Sequence, residues 1–131
     1  MGVNLLLDTH VLVWLAADSP RAGVATRTLL ADAAERHVSA ASAYEIATKT
    51  RSGGLVGGHA VLDGWDRLLR NLQAAELPLT SAHMRRAGAL AWEHRDPFDR
   101  MLVAQAQLEG LTLLTADAEL RAYEDVRTSW A

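Results

Sequence analysis

Short apolar runs alternate along this chain with longer stretches rich in Ala, Leu and Arg, and that alternation constrains the fold more than any other feature. The strand-like runs are VNLLL (3–7), RHVSA (36–40), ELPL (76–79) and LTLLT (111–115), with a weak fifth, VRTSW, at 126–130. The first and fourth are apolar without strict alternation, the pattern of strands covered on both faces. Between the runs, helices are predicted near 10–17, 21–35, 41–51, 59–75, 81–94 and 97–109, and a short one from Asp117 to Tyr123. Strands alternating with helices predict an α/β sandwich, with a mostly parallel four- to five-stranded sheet and helices on both faces. The 131 residues suit one domain, 1–131. The glycine-rich SGGLVGG (52–58) reads as a loop between helices, not a domain boundary.

Composition removes several kinds of chemistry. Cysteine is absent, which excludes disulfides, thiolate metal sites and a thiol nucleophile. The apolar run at Val3 to Leu7 is interrupted by Asn4 and stopped by Asp8, too short for a signal peptide or a membrane span, so a cytoplasmic protein is expected. Net charge is −3, with 12 Arg and one Lys, which counts against a domain that merely grips phosphates. Bound metal neutralising some carboxylates weakens that objection.

Acidic residues recur where strands give way to helices. Asp8 directly follows the first strand, and Asp117 lies two residues beyond the fourth. Ligands of open parallel sheets bind beyond the carboxyl ends of strands. The plain alternative is that each Asp caps the helix it precedes. Glu45 shares one side of its helix with Ser42 and Lys49, and taken alone reads best as an exposed i,i+4 pair with Lys49. In HRDPFDRM (94–101), Pro97 suits the first helical position and Asp96 the N-cap. Asp99 is harder to explain as a cap. It lines up with Leu102, Val103 and Ala106 on a largely apolar helix, where a carboxylate is costly unless paired or metal-bound.

Asp8, Glu45, Asp99 and Asp117 therefore form a candidate acid cluster. An oxygen-only set suits Mg²⁺ or Mn²⁺ and not zinc. Such ions activate water and stabilise charge on a phosphoryl group. No Ser-His-Asp order, glycine-rich phosphate loop or dinucleotide fingerprint is present.

Four segments, LLLDTHVLVWL (5–15), VSAASAYEIATK (38–49), HRDPFDRMLVAQA (94–106) and LTLLTAD (111–117), in this order, resemble the PIN-domain ribonucleases, and among them the VapC-type toxins of bacterial toxin–antitoxin pairs. The likeness spans nearly the whole chain. It implies a metal-dependent ribonuclease whose acids hold one or two Mg²⁺ or Mn²⁺ ions and whose substrate is RNA. By this likeness Asp8, Glu45, Asp99 and Asp117 are the catalytic, metal-binding acids. Asp96 is an additional acid, Thr9, Ser42 and Thr115 are small polar supports, and Arg100 is placed to contact phosphate. The likeness also implies a homodimer neutralised by a cognate antitoxin that inserts beside the acid pocket. Ala43-Tyr44 departs from the bulkier apolar residue and tryptophan expected there.

His10 and His94 read by default as polar surface or capping residues, and Trp14 as a packing site for antitoxin or a second subunit. Lys49, Arg85, Arg86, Arg95 and Arg100 are candidates for an RNA-facing rim. Two other readings share the acids: a receiver-like Mg²⁺-binding signalling module and a metal-dependent phosphatase. The first needs a mid-chain strand ending in a phosphorylatable Asp and a Lys near the end of the chain, and this sequence has neither.

Overall fold

The computed structural model describes residues 2–130. In chain order the elements are β1 (Asn4–Leu7), α1 (Thr9–Ala16), α2 (Val24–Asp32), β2 (Glu35–Ser39), α3 (Ala40–Arg51), α4 (Gly58–Asp63), α5 (Trp65–Leu72), β3 (Ala75–Leu77), α6 (Ser81–Ala89), α7 (Pro97–Glu109), β4 (Thr112–Leu114), α8 (Ala118–Ala122) and β5 (Thr128–Ser129). The strands form one sheet in the order β3-β2-β1-β4-β5, and every pairing is parallel. The weak run at 126–130 does add a strand, at the edge.

Successive residues of a strand face opposite sides of its sheet, and β1 shows why it is apolar throughout. Leu5 and Leu7 enter a core with Val11 and Leu12 of α1, Ile46 of α3, Val61 of α4 and Leu69 of α5. Leu6 enters a second core with Leu102, Val103 and Ala106 of α7, Leu113 of β4 and Leu120 of α8. Both faces are thus covered, giving the expected three layers. None of the described helices is long and apolar enough to cross a membrane.

Two predicted helices end differently. The stretch at 59–75 divides at Gly64, which closes α4 and opens α5 with φ −96° and ψ 17°, outside the helical well. The stretch at 81–94 stops at Ala89. The last carbonyls of a helix lack partners within it. Here Arg100 reaches across from α7 and donates to the carbonyls of Ala87 and Leu90, both at 2.9 Å, so the chain leaves the helix with those groups satisfied.

From central β1 the chain runs outward through β2 to β3, then crosses to β4 on the other side. The carboxyl ends of β1 and β4 therefore flank the topological switch point, where open α/β sheets bind ligands. Leu7 pairs with Leu114, and the Asp8 amide donates to the Leu114 carbonyl at 3.0 Å, extending the pairing to the edge of the crevice.

Candidate active site

A cavity of about 210 Å³ opens at that switch point. Asp8, Glu45, Asp96, Asp99 and Asp117 all line it, together with Thr9, His10, Trp14 and Lys49. Four segments remote in sequence thus deliver five carboxylates to one place. Among them is Asp96, which the sequence placed mainly as a helix cap. It does cap α7, its Oδ1 accepting from the amides of Phe98 at 2.9 Å and Asp99 at 3.4 Å, and it lines the cavity as well. Asp117 likewise caps α8 through Oδ1 while lining the cavity. Capping and site membership do not compete here. A cap carboxylate lies at a helix N-terminus, and these helices begin at the carboxyl edge of the sheet.

Asp8 is the most enclosed acid, at 3% exposure. Its Oδ1 accepts from the Thr9 amide at 2.7 Å, and its Oδ2 accepts from Thr115 Oγ1 at 2.6 Å. His10 Nδ1 stands 3.3 Å from Oδ2. His10 Nε2 accepts the Ala116 amide at 3.3 Å, which leaves the ring proton on Nδ1, facing Asp8. Burial raises the Asp8 pKa above the usual carboxylate range. His10, Thr115 and Thr9 oppose that rise without cancelling it, and Glu45 adds to it.

Glu45 is buried, so the pair with Lys49 is not the exposed surface pair that its helix pattern suggested. Lys49 Nζ lies 2.5 Å from Glu45 Oε2. Burial pulls the Lys49 pKa down, but the hydrogen bond and charge of Glu45, with the charges of Asp96 and Asp99, carry it above the ordinary value. Thr9 Oγ1 and Ser42 Oγ share a hydrogen bond of 2.8 Å, tying α1 to α3 directly beneath these acids. Thr115 Oγ1 also accepts the Asp117 amide at 3.0 Å, so one hydroxyl joins two acids.

Asp99 carries the largest perturbation. Burial, reinforced by the charges of Asp8 and Asp96 and opposed by His94, pushes its pKa up to about 7. His94 Nε2 donates to Asp99 Oδ2 at 2.7 Å, and Nδ1 contacts Glu119 Oε2. Burial disfavours the imidazolium, but Asp99 and Glu119 outweigh it and raise the His94 pKa. Sequence reasoning set His94 aside as a surface residue. The signal that points to it is the one already noted for Asp99: a buried carboxylate needs a partner, and His94 precedes it across the cap loop.

Arg100 does not face the cavity. Its guanidinium is spent on the carbonyls of Ala87, Leu90, Trp92 and His94, at 2.7–3.0 Å, which corrects its placement as a phosphate contact. Arg85 and Arg86 line a separate open depression against Gln107 and Tyr123, while Lys49 lies in the acid cavity. Trp14 is half-buried, its ring 4.6 Å from that of His10 and 5.9 Å from that of Trp130.

The donor set fits a hard divalent cation. It is dominated by carboxylate oxygens. Burial and mutual repulsion raise two of the acids, strain that a cation would relieve. Asp99 Oδ1 has no hydrogen-bond partner among the described residues. A parallel α/β sandwich here gathers five carboxylates, two of them buried, at its switch point, the kind of oxygen-rich set that divalent cations favour. The chain belongs to the PIN domain family, which it matches over residues 5–126. It is 30% identical over 132 residues to ribonuclease VapC22 of Mycobacterium tuberculosis, covering 97% of this chain and 98% of that protein. Its fold is also that of VapBC2 from Rickettsia felis, solved on a promoter DNA fragment (TM-score 0.71, 13% identity, 96% of this chain and 97% of that one). DNA-bound VapBC from Salmonella typhimurium is similar too (TM-score 0.69, 18% identity, 98% of each chain).

Proposed function

We propose that this chain is a metal-dependent ribonuclease, the toxin of a toxin–antitoxin pair, acting in the cytoplasm on RNA phosphodiesters with Mg²⁺ or Mn²⁺. The observation that carries the reading is the convergence of Asp8, Glu45, Asp99 and Asp117 on one cavity, with Asp8 and Asp99 both raised. The likeness to ribonuclease VapC22 along nearly the full length supports it.

Asp8, Asp99 and Asp117 would hold the cation, with Glu45 either completing the set or orienting the attacking water, and Asp96 close by. When bound, a divalent cation activates water for attack and neutralises charge gathering on the phosphate. The protein contributes preorganisation. Thr115 and the Thr9 amide fix both oxygens of Asp8, the two caps fix Asp96 and Asp117, and the Thr9–Ser42 bond holds α3, which carries Glu45, against α1. Lys49 supplies a positive charge at the cavity wall that partly offsets the acids and suits a polyanionic substrate.

Strand order separates this reading from the receiver-like alternative: flavodoxin-like sheets of that type run 2-1-3-4-5, whereas this one runs 3-2-1-4-5. An antitoxin partner is supported by the similar VapBC structures and by an apolar groove of about 270 Å³ formed by Val13, Val56, Val61 and Leu68. Val13 lines both groove and acid cavity, so a segment seated in the groove reaches the acids. Pairing as a homodimer is proposed on family likeness.

The test is RNA cleavage by purified protein with Mn²⁺, with chelator, and as Asp8→Asn and Asp99→Asn. Cleavage is expected only for the wild type with metal. Activity persisting unchanged in both variants would sink the assignment, and hydrolysis of small phosphomonoesters in place of RNA would favour a phosphatase.

A further inference from the structure

His94 is held from several directions, by Asp99 and by groups that the proposed chemistry does not otherwise use. Arg100 Nη1 donates to its carbonyl at 3.0 Å, and the same guanidinium holds the carbonyls of Trp92 at 2.7 Å and Leu90 at 2.9 Å, pinning the loop between α6 and α7. The His94 ring packs on Trp92 with centroids 4.7 Å apart, and Trp92 stacks on Tyr123 at 4.5 Å and 5°. Nε2 meets Asp99 Oδ2 and Nδ1 meets Glu119 Oε2.

We infer that His94 is a positioning residue, which tethers Asp99 through Oδ2 so that Oδ1 faces the cation, and which is itself aligned by Glu119 from α8. This rests on the metal-dependent reading above. The inference begins with Asp99 itself. It occupies the third position of α7, at the cavity wall, and the charges of Asp8 and Asp96 repel it. A hydrogen bond to Oδ2 fixes the orientation of the carboxylate and leaves the other oxygen without a partner among the described residues. His94, Asp96 and Asp99 lie close enough together to hold an ion as a group. Both ring nitrogens of His94 are already engaged by carboxylates, however, so the ring has none left for a cation. The arrangement is that of an outer partner orienting a ligand, and loss of such partners typically costs about 10- to 100-fold in metal affinity or activity.

The experiment is Mn²⁺ titration by calorimetry on the intact protein, alongside RNA cleavage. His94→Ala is expected to lose at least about tenfold in Mn²⁺ affinity. His94→Gln, whose amide nitrogen reaches the place of Nε2, is expected to recover most of that loss. Mn²⁺ electron-spin spectra of protein carrying ¹⁵N-histidine are expected to show no directly coordinated nitrogen from His94. Wild-type affinity in His94→Ala overturns the inference, as does a directly coordinated nitrogen that disappears in His94→Gln, as does a His94→Gln variant no better than His94→Ala. If His94→Ala does not fold, Glu119→Ala on the exposed start of α8 reads the same tether: weaker Mn²⁺ binding supports it and unchanged binding overturns it. The functional reading is tested separately: it falls if wild-type protein binds no Mn²⁺ or if Asp8→Asn and Asp99→Asn both still cleave RNA.

Discussion

Thr115 Oγ1 donates to Asp8 Oδ2 at 2.6 Å, joining the ends of β4 and β1 across 107 residues of chain. Thr115 is fully buried, and its hydroxyl also accepts the Asp117 amide. One side chain thereby sets the spacing of two acids. Thr115→Val keeps the shape and removes both bonds. Hydrogen bonds to charged groups contribute about 1.5–3 kcal/mol, so urea unfolding of the metal-free variant is expected to show a loss of about 2 kcal/mol. Mn²⁺ affinity is expected to fall with it. Unchanged stability would mean that the Thr9 amide and His10 hold Asp8 in place without Thr115.

The raised pKa of Asp99 makes a second prediction, and its sign follows from proton counting. In the unfolded chain Asp99 ionises near 3.8, and in the fold near 7, so between those values the native state binds the extra proton. Stability contributed by the protonated form is then lost as pH rises from about 4 through 7. His94, also raised, acts in the same direction, its contribution present below 6.5 and lost as pH climbs through its folded value. The metal-free wild type is expected to weaken over this window by an amount on the order of 2–4 kcal/mol from Asp99. Asp99→Asn should flatten the profile and melt higher than wild type at pH 8, while losing cleavage. A variant with the wild-type slope would place the titration elsewhere.

Much of this was legible in the residues, for identifiable reasons. The doubly covered sheet followed from the unalternating leucines of β1 and β4, and the acids at strand ends followed from Asp8 and Asp117. The boundary of α6 was not legible, because what stops that helix is Arg100, from a different helix. Nor was the burial of Glu45, since a Glu–Lys pair at i,i+4 looks the same whether its carboxylate faces solvent or a crevice. Arg100 itself was misplaced. Its position beside Asp99 suggested phosphate, but consecutive helical residues point about 100° apart, and that turn aims it at the α6–α7 loop.

Lys49 gives a further prediction. Its ammonium lies on Glu45 and senses Asp96 and Asp99, so it is the internal counter-charge of the acid cluster. Lys49→Met keeps the aliphatic stem and removes that charge. The metal-free variant should melt several degrees lower than wild type. The increment in melting temperature on adding Mg²⁺ should be larger, since more repulsion is left for the cation to relieve. Thermal scans with and without Mg²⁺ check both. An equal increment in the two proteins would show that Lys49 does not offset the acids.

Asp96 and Asp99 offer the sharpest comparison, because they lie on one turn and differ in what they do for it. Asp96 accepts two amides at the start of α7, whereas Asp99 gives its side chain to His94 and the cavity. Asp96→Ser preserves an N-cap acceptor, so stability should change by less than about 1 kcal/mol. It also removes a carboxylate from the cavity wall, so Mn²⁺ binding should weaken while cleavage remains measurable. Asp96→Ala removes the cap as well and should cost about 1 kcal/mol more. Asp99→Asn should leave the helix intact and abolish cleavage. Cleavage rates, Mn²⁺ titrations and urea unfolding on the three variants separate the cap from the acid. Equal loss of cleavage in Asp96→Ser and Asp99→Asn would make Asp96 a full member of the metal set.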